Sequence, residues 1–345
     1  MKAVQLVGHG GLDQLVYRED VPVPVPGARD VLIRVAAAGV NNTDLNTRLG
    51  WYSKGGDCAD DASWSGDSIA FPRIQGADVC GEIVAIGSDV DPSLLRRRVL
   101  VEPCLREAHG EELLRPWYCG SECDGGFAQY TTVAARHAYP IDSALSSVEL
   151  ASFPCSYSTA LNMLHRTAVG EDDAVLITGA SGGVGSAAVQ IAKARGARVM
   201  AVAAPDKSQG LTRLGADRVI PRDANLTEVL AKDSADVIID LVGGPRWPAL
   251  LDVLRPFGRY AVAGAIAGPH VELDLRTVYL KDLQLFGCTV LSEGVFASLV
   301  AQIEAGRIAP LVAEVFPLEE IAAAQTAFAA KRHVGKLVID VGACA

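Results

Sequence analysis

Apolar residues change rhythm part-way along this chain. Up to about residue 140 they come in short runs, at 31–35, 81–86, 98–101 and 128–133, each bounded by Gly, Pro or Asp. Short runs rich in β-branched residues between turn formers predict strands, so this part reads as β-rich. From about 150 short apolar runs alternate with stretches of helical spacing. Strands are predicted at 175–178, 198–202, 218–220, 236–240, 258–263 and 283–287, with helices near 183–195, 207–214, 224–231 and 246–254. Six strands joined by crossover helices make a doubly wound parallel sheet of the α/β class. Helices around 295–305 and 318–330 follow, then a strand at 336–340, and these are expected to return to the first domain. The predicted organisation is a discontinuous β-rich domain, 1–140 and 290–345, with a doubly wound domain at 141–289. Two segments, 52–70 and 103–125, read as long loops, which in compact domains serve as lids or connections.

One segment carries chemistry on its face. VLITGASGGVG at 175–185 runs from a predicted buried strand through Gly179, Ala180, Ser181, Gly182, Gly183, Val184 and Gly185 into a predicted helix. Glycines there allow a tight turn, close backbone approach to a pyrophosphate and close helix–sheet packing, while the helix N-terminus offers N–H groups to the anion. The next strand follows after one crossover helix, which is the context that such a phosphate-binding turn requires.

Composition narrows the partners. The chain has 345 residues, half of them apolar, and a formal charge of −10. That length suits two domains, and the acidic balance argues against a nucleic acid or an anionic membrane as partner. No run approaches the roughly 18 apolar residues of a membrane span, and the opening MKAVQLV lacks the features of a signal peptide; the expected location is the cytoplasm. Cysteines at 58, 80, 104, 119, 123, 155, 288 and 344 are scattered, as reduced thiols are.

Several segments together resemble the medium-chain dehydrogenase/reductase superfamily over essentially the whole chain: MKAVQL at 1–6, AGVNNTD at 38–44, GADVCG at 76–81, GGFAQY at 125–130, the glycine turn, DLVGG at 240–244 and HVGKLVI at 333–339. Within it the chain looks more like the zinc-independent quinone oxidoreductases than the zinc alcohol dehydrogenases. The resemblance implies a GroES-like catalytic domain beside a Rossmann domain. Where zinc members carry a Cys and a His ligand, this sequence has Asn41 and Ala77, with Asp78 for Glu; Cys155 falls at the third ligand position. One thiolate cannot make a catalytic zinc site, which needs three protein ligands, so no metal is expected. Cys155 reads either as a small packed residue or as a working thiol. Cys104, Cys119 and Cys123 fall where many relatives have a structural zinc lobe, but their spacings do not match it.

NAD-preferring dinucleotide folds carry a carboxylate at the end of the second strand, about 20 residues past the glycines. Here that strand ends VAAP at 202–205, with Asp206 read as the N-cap of the next helix and Lys207 placed to face a 2′-phosphate, so NADPH is the expected cofactor. Arg213 and Arg222 are further candidates. By resemblance, Thr159 packs on the nicotinamide, Gly243 and Gly244 let the cofactor lie close, and Lys336 ranks as a cofactor contact. Thr159 reads equally as a helix-start hydroxyl.

Without metal, hydrogen-bond donors must stabilise the developing oxyanion. The candidates are the Asn41 amide, the Thr43 hydroxyl, at the proton-relay position of zinc relatives, and Tyr52; their bland readings are turn former, helix start and packing. A neighbouring family tyrosine is replaced by Asn46. The resulting expectation is NADPH-dependent reduction of quinones or activated carbonyls and enones. Two alternatives stay open: an NADPH-binding protein whose catalysis has lapsed, and a zinc alcohol dehydrogenase with relocated ligands. By resemblance, LQLFGCTV at 283–290 is expected to pair across a homodimer axis.

Overall fold

The computed structural model describes residues 1–54 and 62–342. Part of the 52–70 loop, with Cys58, and the C-terminal Cys344 lie outside the described residues. The chain divides into two compact units, one of Met1–Cys155 with Val300–Ala345, the other of Ser156–Leu299.

The first unit begins with β1 (Ala3–Leu6), β2 (Leu15–Arg18) and the ten-residue β3 (Asp30–Gly39), followed by helix α1 (Asn42–Leu49). Strands β4 (Arg73–Ile74), β5 (Cys80–Ile86), β6 (Arg98–Val101), β7 (Cys104–Ala108), β8 (Glu111–Tyr118), β9 (Tyr130–Ala134) and β10 (Ala138–Pro140) come next, and then α2 (Ser147–Leu150), which packs against β3 and β5. β3 is the hub: β5 and β9 pair along it, and its last residues pair antiparallel with the C-terminal strand, Val338 opposite Gly39. Alternation explains this placement, since Val31, Ile33 and Val35 point into one buried cluster with Val79, Ile83 and Leu337.

The 103–125 segment is not the irregular loop that its charged sequence suggests. It is largely the β7–β8 hairpin, turned at His109 and Gly110 with φ of 54° and 79°. Two consecutive positive φ values define the tight turn that matches strand twist; His-Gly carries it here in place of the more recognisable Asn-Gly.

The second unit starts within α3 (Pro154–Arg166) and holds β11 (Ala174–Ile177), α4 (Gly183–Ala194), β12 (Arg198–Ala203), α5 (Ser208–Arg213), β13 (Arg218–Pro221), α6 (Leu226–Val229), β14 (Ala235–Asp240), α7 (Trp247–Val253), β15 (Leu254–Val262), α8 (Leu275–Leu280) and β16 (Gln284–Gly287). All six strands pair in parallel, in the order β13-β12-β11-β14-β15-β16. Strand order reverses between β12 and β14, on either side of β11, so the crevice of this doubly wound sheet opens at the C-terminal end of β11. The short helix α8, absent from the sequence reading, is capped by Asp274, whose carboxylate accepts from the Arg276 N–H at 2.9 Å. Asp206 does not cap α5: Pro205–Lys207 form a turn of 3-10 helix, and α5 starts only at Ser208.

Helix α9 (Val295–Glu304) leads back to the first unit, where β17 (Val312–Pro317), α10 (Ile321–Ala330) and β18 (Lys336–Asp340) complete its sheet. No helix among the described residues is long and apolar enough to cross a membrane.

Candidate active site

β3 ends at Gly39, and α1 starts at Asn42 after an extended Asn41. β18 lies beside this turn and begins at Lys336, which brings a buried ammonium beneath it. Lys336 Nζ donates to Asn41 Oδ1 at 2.5 Å, to Asp78 Oδ2 at 2.7 Å and to the Val40 carbonyl at 2.9 Å. Asp78 is 0% exposed and Lys336 1%. A charge pair so deep has lost its hydration and persists only when its donors and acceptors are met. Here they are: the ammonium has three acceptors, and Asp78 also takes the Asn41 side-chain amide at 2.7 Å and the Cys155 N–H at 2.5 Å. Gly39 is required for this approach, because a Cβ there would lie 2.4 Å from Asp78 Oδ2.

The network changes the reading of two residues. Both amide hydrogens of Asn41 are committed, one to Asp78 and one to the Gly39 carbonyl at 3.2 Å, so Asn41 does not offer them to an oxyanion. Lys336, expected as a cofactor contact, has its three donors used inside the first unit.

Thr43 and Tyr52 do come together. Tyr52 Oη donates to Thr43 Oγ1 at 3.2 Å. Burial pushes the Tyr52 phenol up, so it stays protonated and a donor. With its oxygen accepting from Tyr52, Thr43 can direct its own hydrogen to a ligand. The turn that carries them is fixed by Asp44, which accepts from the N–H groups of Asn41 at 2.7 Å and Gly76 at 3.1 Å. Burial pushes the Asp44 carboxyl up to about 7 against these two bonds and the attraction of Lys336.

Cys155 is a packed thiol rather than a thiolate. It accepts from Tyr118 Oη at 3.0 Å, and burial pushes it up to about 12.

In the second unit the glycine turn follows β11. Gly179 has a φ of 58°, and Gly182 precedes α4 with no side chain capping the helix. A Cβ on Gly185 would lie 2.3 Å from the Gly179 carbonyl oxygen, so only glycine lets the helix pack this close. Ser181, Gly183 and Val184 are half-buried, Gly182 is exposed, and Ala180 is buried with its N–H on the Val202 carbonyl at 3.1 Å. The resulting N-terminus is open to an anion, and its residues fit a dinucleotide pyrophosphate.

Asp240 shapes the neighbouring turn. Its carboxylate accepts from Thr178 Oγ1 at 2.6 Å, Tyr260 Oη at 2.5 Å and the N–H groups of Val242 at 2.9 Å and Gly243 at 3.2 Å. Gly243 and Gly244 follow with φ of 61° and 76°. Past the end of β12, Lys207 is half-buried; burial, together with the Arg222 charge, lowers its pKa despite Asp206. Two cations therefore stand at that strand end. Thr159 lies half-buried on α3.

The family description "Alcohol dehydrogenase GroES-like domain" matches residues 27–143, and "Zinc-binding dehydrogenase" matches residues 183–305. A quinone oxidoreductase of Mus musculus is 31% identical over 339 residues, covering 94% of this chain and 92% of that protein. The chain belongs to the medium-chain dehydrogenase/reductase superfamily. An acryloyl-coenzyme A reductase of Metallosphaera sedula is 30% identical, covering 98% of this chain and 99% of the relative. A solved structure from Sinorhizobium meliloti 1021, assigned by name to the alcohol dehydrogenases, is 46% identical with a TM-score of 0.90, covering 99% of this chain and 96% of that one. By family the protein is an oxidoreductase.

The zinc in the family description can be tested against the donors. Ala77 has none, and Asn41 and Asp78 are held by Lys336. Cys155 supplies a single sulfur, which accepts from Tyr118 Oη. Among the described residues no group of three or more His, Cys, Asp or Glu side chains could hold a metal ion. These residues do not fit a zinc centre.

Sequence reasoning misses two contributors: Asp78 reads only as a departure at a Glu position, and Asp44 only as the end of the AGVNNTD segment. The NNTD motif at 41–44 does carry a signal for Asp44, a carboxylate three residues past an N-cap.

Proposed function

We propose that the protein is an NADPH-dependent reductase of quinones or activated carbonyl and enone compounds, working by direct hydride transfer without catalytic zinc. The observation that carries this reading is the Lys336 ammonium bonded to both Asn41 and Asp78, which commits the polar groups a metal would need. When bound, the reduced nicotinamide supplies the hydride. The glycine turn at 179–185 and the Gly243–Gly244 turn fit the dinucleotide, and Lys207 with Arg222 suits a 2′-phosphate, since no carboxylate closes β12. Thr43 donates a hydrogen bond to the oxygen that gains charge, and Tyr52 supports it through Oγ1. A quinone or enone suits two hydroxyl dipoles because its product anion is delocalised; a simple ketone leaves a localised alkoxide and calls for a stronger electrophile. The names of the mouse and Metallosphaera relatives agree with this substrate class.

The alcohol dehydrogenase name of the 46%-identical structure favours a second reading, oxidation of alcohols with a metal. One experiment separates them. NADPH consumption is followed with ortho-quinones, enones and saturated aldehydes, with and without a chelator. Turnover of quinones or enones that ignores the chelator supports the proposal. Chelator-sensitive turnover of saturated aldehydes supports the second reading, and tight NADPH binding without turnover of any substrate points to lapsed catalysis.

For assembly we propose a homodimer through β16, which ends the parallel sheet. Beside it stand Leu275, Tyr279 and Leu280, 62–71% exposed.

A further inference from the structure

We propose that Cys119 and Cys123 form a reversible disulfide, a redox modification site of the first unit that takes a low-molecular-weight disulfide as its oxidant. The chain leaves β8 at Tyr118 and closes a tight loop, with the Ser121 N–H on the Tyr118 carbonyl and the Gly120 N–H on the Cys123 carbonyl, both at 3.0 Å. Gly120, with a φ of 84°, makes the reversal. The loop brings Cys119 and Cys123 into a β-bridge with each other. The bridge is parallel, and paired backbones lie about 4.7–4.9 Å apart, inside the roughly 4.4–6.8 Å between Cα atoms that a disulfide spans.

Their exposures divide the labour. Cys119 is 4% exposed, whereas Cys123 is only partly covered. The Cys123 contact and burial push the Cys119 thiol up, and the more exposed Cys123 meets the oxidant first. The Cys123 thiolate attacks one sulfur of the oxidant, forming a mixed disulfide and expelling one thiolate. Cys119 then loses its proton and attacks Cys123 Sγ, expelling the second. Two protein thiols are oxidised by two electrons, and one small disulfide is reduced to two thiols.

The loop also anchors its surroundings. Ser121 Oγ accepts the Trp64 N–H at 3.0 Å and Glu122 Oε1 accepts the Ser65 N–H at 2.7 Å, while the Tyr118 ring lies 4.9 Å from that of Trp64. Closing the ring 119–123 stiffens this anchor.

The test equilibrates the full chain with oxidised glutathione, blocks remaining thiols by alkylation and maps the peptides. The expected result is a loss of the mass of two hydrogens in a peptide linking Cys119 to Cys123, reversed by dithiothreitol. The Trp64 and Ser65 amides should exchange roughly threefold more slowly or less in the oxidised form. Cys119→Ser should trap the glutathione mixed disulfide on Cys123, and Cys123→Ser should take up none at position 119. Alkylation of both cysteines after full equilibration overturns the proposal. So does a link from either one to Cys104 or Cys155, or a Cys119→Ser protein that traps no adduct.

Discussion

Lys336 Nζ and Asp78 Oδ2 stand 2.7 Å apart with both side chains buried, at the point where β18 meets the end of β3. Removing one partner leaves the other charge buried and unmatched, a loss of about 3–5 kcal/mol. Lys336→Met should therefore lower the denaturant midpoint sharply, and Asp78→Asn in the same chain should restore part of it. Equal and additive losses from the two substitutions, measured by urea unfolding, would show that the pair is not coupled.

Tyr52 acts through Thr43 in the proposed reaction, so the two substitutions should differ in size. Loss of a donor aimed at a developing oxyanion costs about 10²–10³ in kcat. Thr43→Val should fall in that range, while Tyr52→Phe, which leaves the Thr43 hydroxyl in place, should cost about tenfold or less, on the scale of one hydrogen bond. NADPH affinity should stay unchanged in both. A Tyr52→Phe protein as impaired as Thr43→Val would make the phenol the direct donor.

Much of this fold is legible in the residues themselves. The six parallel strands follow from apolar runs spaced by helical stretches, and the glycine turn from positions such as Gly185, where a Cβ would clash with backbone. The β7–β8 hairpin hides because β8 is exposed and charged, β7 carries Arg106 and Glu107, and its turn is His109-Gly110. The Lys336 network hides for a different reason: Asn41, Asp78 and Lys336 are far apart in sequence, and only the registers of β5 and β18 on β3 bring them together. Spacing along the chain holds no trace of those registers, so Asn41 reads as a donor when its amide is already spent.

In the proposed reading, cofactor preference rests on Lys207, just past the end of β12. If Lys207 and Arg222 face a 2′-phosphate, Lys207→Ala should raise the KM for NADPH about tenfold, the size of one charge-assisted contact at a partly exposed site. The KM for NADH should barely move. Equal effects on both cofactors would place Lys207 in folding rather than in phosphate recognition.

The exposed apolar side chains beside β16 predict self-association. Leu280 is 71% exposed and Leu285, on β16 itself, 42%. An unpaired edge strand next to such residues invites a second copy. Leu280→Asp combined with Leu285→Lys should convert a dimer to monomer in analytical ultracentrifugation. A wild-type chain that sediments as a monomer across micromolar concentrations would sink the β16 pairing.

Asp44 makes the stability of the fold depend on pH. Its folded-state pKa, raised by burial to about 7, lies above the ordinary carboxyl value of about 3.8. Between about pH 4 and 7 the folded protein therefore holds a proton that the unfolded chain has released. Proton linkage then makes stability fall as pH rises through this window and level off above it. At about 1.4 kcal/mol per unit the decline amounts to at most about 4 kcal/mol. Asp78 and Lys336 face the same turn and oppose each other in their effect on Asp44, raising and lowering it respectively. Asp44→Asn keeps one acceptor and removes the titration. The unfolding free energy of the wild type minus that of Asp44→Asn should thus decrease steadily from pH 4 to pH 7. If that difference rises instead, the carboxylate is stabilised in the fold by the Asn41 and Gly76 N–H groups, and burial is not what governs Asp44.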